Sequence, residues 1–127
     1  MTNDLQSLAR EDFCYLTTTG RISGRPHTIE IWFALHGHTL YMLSGGMDRS
    51  DWVKNALRLP DVTVRINDKV IAGKARLVKD VQEDALTRQL LFEKYQKSSQ
   101  DDLTEWSKSS LPVVVDLSSE HRFLPMV

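Results

Sequence analysis

Tyr15-Leu-Thr-Thr-Thr-Gly-Arg-Ile-Ser-Gly-Arg-Pro-His-Thr-Ile-Glu-Ile-Trp-Phe33 is the stretch on which the fold of this chain turns. A run of strand formers ends in Thr17-Thr18-Thr19. A polar turn with Gly20, Arg21, Ser23, Gly24, Arg25 and Pro26 follows, and a second strand begins at once. Glycine tolerates positive φ and proline fixes φ near the polyproline value, so the segment reads as the end of a β hairpin. Two arginines and several hydroxyls therefore stand together at one sheet end, where they are able to grip an anion. Ordinary solvated turn arginines are the plainer meaning of the same residues.

Outward from this hairpin, period-two alternation and turn residues mark out the rest of a sheet. The first strand is expected over Phe13 to Thr19 and the second over Thr28 to His36. His36-Gly37-His38 is a tight turn leading to a partner strand, Thr39 to Ser44, and Gly45-Gly46 stops the sheet. Trp52, Val53, Ala56 and Leu57 recur at helical spacing between Asp48 and Arg58, with Asp48 or Ser50 as the cap and Pro60 as the end. Val62 to Ile66 and Val70 to Val78 form a further hairpin about Asn67-Asp68. Asp84 to Gln96 carries Leu86, Leu90, Leu91 and Tyr95 on one helical stripe, and Asp102 to Lys108 suits a short helix. Leu111 to Leu117 is the last strand, which His121-Arg122-Phe123 extends, and residues 4–12 form a short opening helix. Hairpin connections imply an antiparallel sheet, and about six such strands curl more readily than they stay flat. The expected fold is mainly β within the α+β class: a six-stranded antiparallel split β-barrel with packed helices.

Composition narrows the function. The chain has 127 residues, 41% of them hydrophobic and 26% charged, so one domain spanning the whole chain is expected. A net charge of −1 lacks the basic footprint of a nucleic-acid binder. No apolar run reaches the roughly 20 residues of a membrane span. The start of the chain lacks the basic and apolar regions of a signal peptide, so a cytoplasmic protein is expected. Cys14 is the one cysteine, which rules out an internal disulfide and a cysteine-based zinc cluster. His36 and His38 have no carboxylate or cysteine at ligand spacing, so no metal site is expected. There is no P-loop, no GxGxxG and no order of residues suited to hydrolysis.

Taken in order, Leu16 to Arg21, Ser23-Gly24, Pro26, Ser44, Gly46, Trp52, Asn55 and Val62-Thr-Val64 fall on one longer pattern. In this the chain resembles the deazaflavin-dependent nitroreductases, a family of the flavin-binding split barrels that include pyridoxamine-phosphate oxidase. The resemblance implies hydride transfer from reduced coenzyme F-420 to a small organic acceptor such as a quinone, enone or nitro compound. It also implies a homodimer with the cofactor in the crevice between subunits. Arg21, Ser23 and Gly24 would serve the cofactor phosphate. Thr28, Ile29 and Glu30 would lie along the strand facing the ring. Ser44, Gly45 and Gly46 would make a second backbone cradle, and Trp52 and Asn55 would close the site. Membership of this pattern is what lifts Arg21 and Arg25 above ordinary turn residues.

The departures from the pattern are specific. Ile22 stands at an often basic position, His27 where arginine is typical, and Glu30 where proline is common. Fewer fixed cations leave FMN, with its single phosphate, as the alternative cofactor, and Arg25 as a replacement for some lost charge. A non-catalytic carrier of flavin or deazaflavin is the alternative from another functional class. His27 is either a donor to the anion or a half-exposed strand histidine. Strand alternation puts Thr28, Glu30 and Trp32 on one face and Ile29, Ile31 and Phe33 on the other. Glu30 and Tyr41 are the candidate proton donors. Lys94, Lys97 and Lys108 read as solvated helix charges, which leaves no second phosphate cluster for a pyridoxamine-like substrate.

Overall fold

The computed structural model describes residues 4–118 and 122–123. Helix α1 (Asp4–Leu8) leads into strands β1 (Cys14–Thr19), β2 (Pro26–Ile31), β3 (Ala34–His36) and β4 (Thr39–Ser44). A single 3-10 turn (Met47–Arg49) and helix α2 (Asp51–Arg58) separate these from the hairpin β5 (Asp61–Ile66) and β6 (Lys69–Leu77). Helices α3 (Val81–Gln96) and α4 (Thr104–Ser109) precede β7 (Leu111–Leu117) and the two-residue β8 (Arg122–Phe123). The strands form one antiparallel sheet in the order β2-β1-β5-β6-β7-β4-β3, with β8 beside β6.

The expected mainly β barrel with packed helices is present, but the sheet path holds seven strands instead of six, plus β8. The extra strand arises because the expected run Thr28 to His36 is broken at Trp32-Phe33. Its two pieces, β2 and β3, are the opposite edges of the sheet. A sheet whose two edges are joined by two residues has to curl, so this link largely closes the barrel. Partners outside the ladder hold the break. The Phe33 N–H donates to the Tyr95 hydroxyl at 3.0 Å, and the Lys94 ammonium donates to the Phe33 carbonyl at 2.8 Å. The Tyr95 hydroxyl also lies within donating reach of the Asp12 carbonyl, at 2.6 Å. Lys94, expected to be solvated, is thus half-buried against the closing link, with its nitrogen 3.8 Å from the Phe33 ring centroid. Arg122-Phe123 also differs from expectation, since it pairs with β6 and does not lengthen β7. His121 lies outside the described residues.

Strand alternation explains the core. Cys14, Leu16 and Thr18 of β1, and Val62, Val64 and Ile66 of β5, are buried inside the barrel. Val53 and Ala56 of α2 and Leu5 and Leu8 of α1 close that interior. β4 is buried on both faces: Leu40 and Met42 face inward, while Tyr41 and Leu43 lie in a second apolar cluster with Leu91 and Tyr95 of α3. Arg76 ties β6, β7 and α3 together through a fork to Glu83 (2.7 and 2.9 Å) and one to Asp116 (2.6 and 3.1 Å). Among the described residues the outer face of β2 carries no such cover, and Pro26, His27 and Thr28 are exposed. Turn and α2 meet at the end of this open strand.

Candidate functional site

The β1–β2 turn is built on its own hydrogen bonds. The Gly20 N–H donates to the Arg25 carbonyl at 2.7 Å, and the Gly24 N–H to the Gly20 carbonyl at 2.8 Å. Gly24 sits at φ 74°, in the left-handed region that favours glycine. The Arg25 N–H donates to the Ser23 hydroxyl at 3.1 Å. A Cβ on Gly20 would lie 2.7 Å from both His27 Nε2 and Ser23 Oγ, so a larger residue there would displace that exposed ring and hydroxyl from the backbone. The N–H groups of Ile22 and Ser23 find no acceptor among the described residues.

Facing the turn is the first half of α2. Arg21 reaches across, donating from Nη1 to Asn55 Oδ1 at 2.7 Å and from Nη2 to Asp51 Oδ1 at 3.3 Å. Its backbone N–H donates to the same Asn55 oxygen at 3.1 Å. Asn55 is buried, and its amide nitrogen donates to Thr18 Oγ1 at 3.5 Å. One amide side chain thus fastens helix, turn and first strand together.

Between turn and helix lies a cavity of about 410 Å³. The turn lines it with Gly20, Arg21, Ile22 and Ser23. β2 adds His27, Thr28 and Ile29, and α2 adds Asp51, Trp52 and Asn55. The volume falls within the roughly 300–1,000 Å³ usual for small-molecule sites. The Arg21 N–H groups not taken by Asn55 and Asp51, a hydroxyl and two backbone amides without an acceptor are donors of the kind that suit an oxyanion.

Other residues singled out from the sequence lie elsewhere. Gly24 and Arg25 are exposed in the turn without lining the cavity. Glu30 lies farther along β2, where its carboxylate accepts from the Tyr15 hydroxyl at 3.1 Å. It borders a smaller cleft of about 270 Å³ with Trp32, Leu43 and Trp106. Ser44 is buried and donates to the Met47 carbonyl at 2.9 Å, which fixes the turn before α2, while Gly45 and Gly46 are exposed beside it. Ser50 takes the N-cap position of α2 without a side-chain cap bond. Tyr41 packs at 4% exposure in the cluster with α3, and burial pushes its phenol above the ordinary value. Asp51 was not singled out. Its one signal is the spacing to Asn55, four residues on and therefore on the same helix face.

Residues 3–118 match the family described as F-420H(2)-dependent quinone reductase. The chain belongs to that family. As one of these quinone reductases it is a deazaflavin-dependent oxidoreductase, and coenzyme F-420 is its cofactor. Comparison with curated proteins finds no match. Among solved structures, a conserved hypothetical protein from Mycobacterium tuberculosis superposes with a TM-score of 0.74 at 17% identity, covering 96% of this chain and 83% of the other. A FAD-binding protein from Mesorhizobium loti gives 0.68 at 15% identity, over 92% and 88% of the two chains. An F-420-H2 dependent reductase gives 0.61 at 23% identity, over 82% and 93%. At these identities the likeness carries the shared fold alone.

Proposed function

We propose that this reductase passes hydride to a small organic acceptor such as a quinone, and that the cavity between the β1–β2 turn and α2 holds the phosphate end of coenzyme F-420. The observation that carries this assignment is one cavity lined by Arg21, Ile22 and Ser23, residues that hold a guanidinium, a hydroxyl and two backbone N–H groups without an acceptor among the described residues. Bound there, the reduced deazaflavin supplies the hydride. The chain's own residues bind, orient and shield. Arg21 engages the anion through the donors left over from Asn55 and Asp51, and Asn55 holds its guanidinium in place. Trp52, half-buried on the first turn of α2, screens one side of the cavity from water. Neither candidate proton donor lines this cavity: Tyr41 is sealed against α3, and Glu30 accepts from the Tyr15 hydroxyl beside the smaller cleft.

The test is turnover. Purified protein with reduced F-420 and menadione is expected to accelerate cofactor oxidation well above the uncatalysed rate. Binding without acceleration would leave a carrier in place of an enzyme. FMN, with its single phosphate, is the comparison ligand, because among the described residues Arg21 is the one permanently charged cation lining the cavity, and Asp51 faces it.

A homodimer belongs to the same proposal. β2 is an exposed edge strand, and Phe13 and Trp32 beside it are more than a third exposed. A second copy laid on this face would cover the apolar side chains and shield the open side of the cavity. Sedimentation equilibrium is expected to give twice the chain mass; a monomer at micromolar concentration would refute the dimer.

A further inference from the structure

We propose that Asp51 sets the charge selectivity of the cofactor cavity: as a resident counter-ion to Arg21, it disfavours ligands with long acidic tails. The inference rests on the assignment of this cavity to the phosphate end of the cofactor. Arg21 does not need Asp51 to hold its position. Asn55 does that from a buried site, with a 2.7 Å bond to the guanidinium and a 3.1 Å bond from the backbone. The Asp51 contact is longer, 3.3 Å, and its side chain is 85% exposed against 25% for Arg21. An ion pair so exposed adds little to stability. What it changes is the field at the cavity mouth.

Among the described lining residues Arg21 is the one permanent cation and Asp51 the one carboxylate, so their formal charges cancel. A ligand with one phosphate meets the donors that Arg21 has left, together with the Ile22 and Ser23 amides. A further carboxylate on a ligand that extends past the exposed Asp51 would meet its charge, with no second cation among the described lining residues to offset it. The penalty therefore grows with ligand charge. FMN carries a single phosphate, whereas coenzyme F-420 carries an acidic tail beyond its own. Asp51 accordingly acts as a specificity-determining residue that favours cofactor forms with short tails.

Asp51→Asn tests this, because it keeps the size and the acceptor oxygen while removing the charge. Fluorescence titrations of wild type, Asp51→Asn and Asp51→Glu with F-420 and with FMN give the ratio of the two affinities, and melting curves confirm that each variant is folded. At 0.1 M salt, Asp51→Asn is expected to tighten F-420 binding by about 3- to 5-fold and FMN by less than about 2-fold. Asp51→Glu is expected to keep the wild-type ratio. The gain should vanish near 1 M salt, where the screening length falls from about 10 Å to about 3 Å. An unchanged affinity, an equal gain for both ligands, weaker binding, or a gain that survives high salt would each overturn the role given to Asp51. A wild-type protein that binds neither ligand overturns the cavity assignment itself, and this is seen before any variant is compared.

Discussion

Asn55 offers one carbonyl oxygen to two N–H groups of Arg21 and sends its amide nitrogen toward Thr18, all from a site 4% exposed. Removing it has two consequences. The backbone N–H of Arg21 and the Thr18 hydroxyl lose their partner, and the guanidinium loses its anchor. Asn55→Ala should lower stability by about 1–3 kcal/mol and weaken F-420 binding as well, measured by chemical denaturation and by titration. A stability loss with unchanged affinity would show that Arg21 needs no such support. The residues of this site differ in how far they announce themselves. Arg21, Ser23 and Asn55 stand out through the ordered pattern they share. Asp51 does not, because an acidic residue in a first helical turn is an ordinary partner of the helix dipole, and only the fold shows that it faces Arg21.

At the scale of elements, the end of α3 works as a clasp on the link between β2 and β3. Lys94 and Tyr95 take over the hydrogen bonds that Phe33 would otherwise make in a ladder. Burial lowers Lys94 to about 8 from an ordinary 10.5. Above that value the folded chain sheds a proton that the unfolded chain keeps, so this group makes stability rise with pH. Cys14 opposes it: burial raises the thiol to about 12 from 9.0, so above pH 9 the unfolded chain alone ionises there and stability falls. The Lys94 contribution is therefore cleanest between about pH 8 and 9. Relative to Lys94→Met, the melting temperature of wild type should rise with pH across that interval. A constant difference would mean that Lys94 does not titrate there. The strands were legible from alternation and turn residues, down to Asn67, whose φ of 57° fits the expected turn. The break at Trp32-Phe33 was not, because Glu-Ile-Trp-Phe-Ala-Leu is an uninterrupted run of strand-compatible residues. Its cause lies more than sixty positions away, in partners that no local pattern names.

For the whole molecule, sheet order explains where the site lies. β2 and β3 are the two edges of one sheet and are joined by two residues, so the barrel closes there and opens toward the β1–β2 turn. The helix inserted after β4 meets that turn, and Arg21 is the bond between them. The overall class, a mainly β barrel with helices packed on it, follows from hairpin connectivity. The exposure of β2, and with it the face offered to a second copy, depends on helices covering the other side of the sheet, which composition does not disclose. On our proposal this junction binds the anionic end of the deazaflavin cofactor. Paired fluorescence titrations of apo-protein with F-420 and FMN, each repeated on Arg21→Ala, test it most directly. Wild type should bind F-420 with a dissociation constant well below about 100 μM, roughly −5.5 kcal/mol, and Arg21→Ala should weaken it by about 1.5–3 kcal/mol. Equal affinity in wild type and Arg21→Ala, or no binding of either ligand, would contradict the assignment.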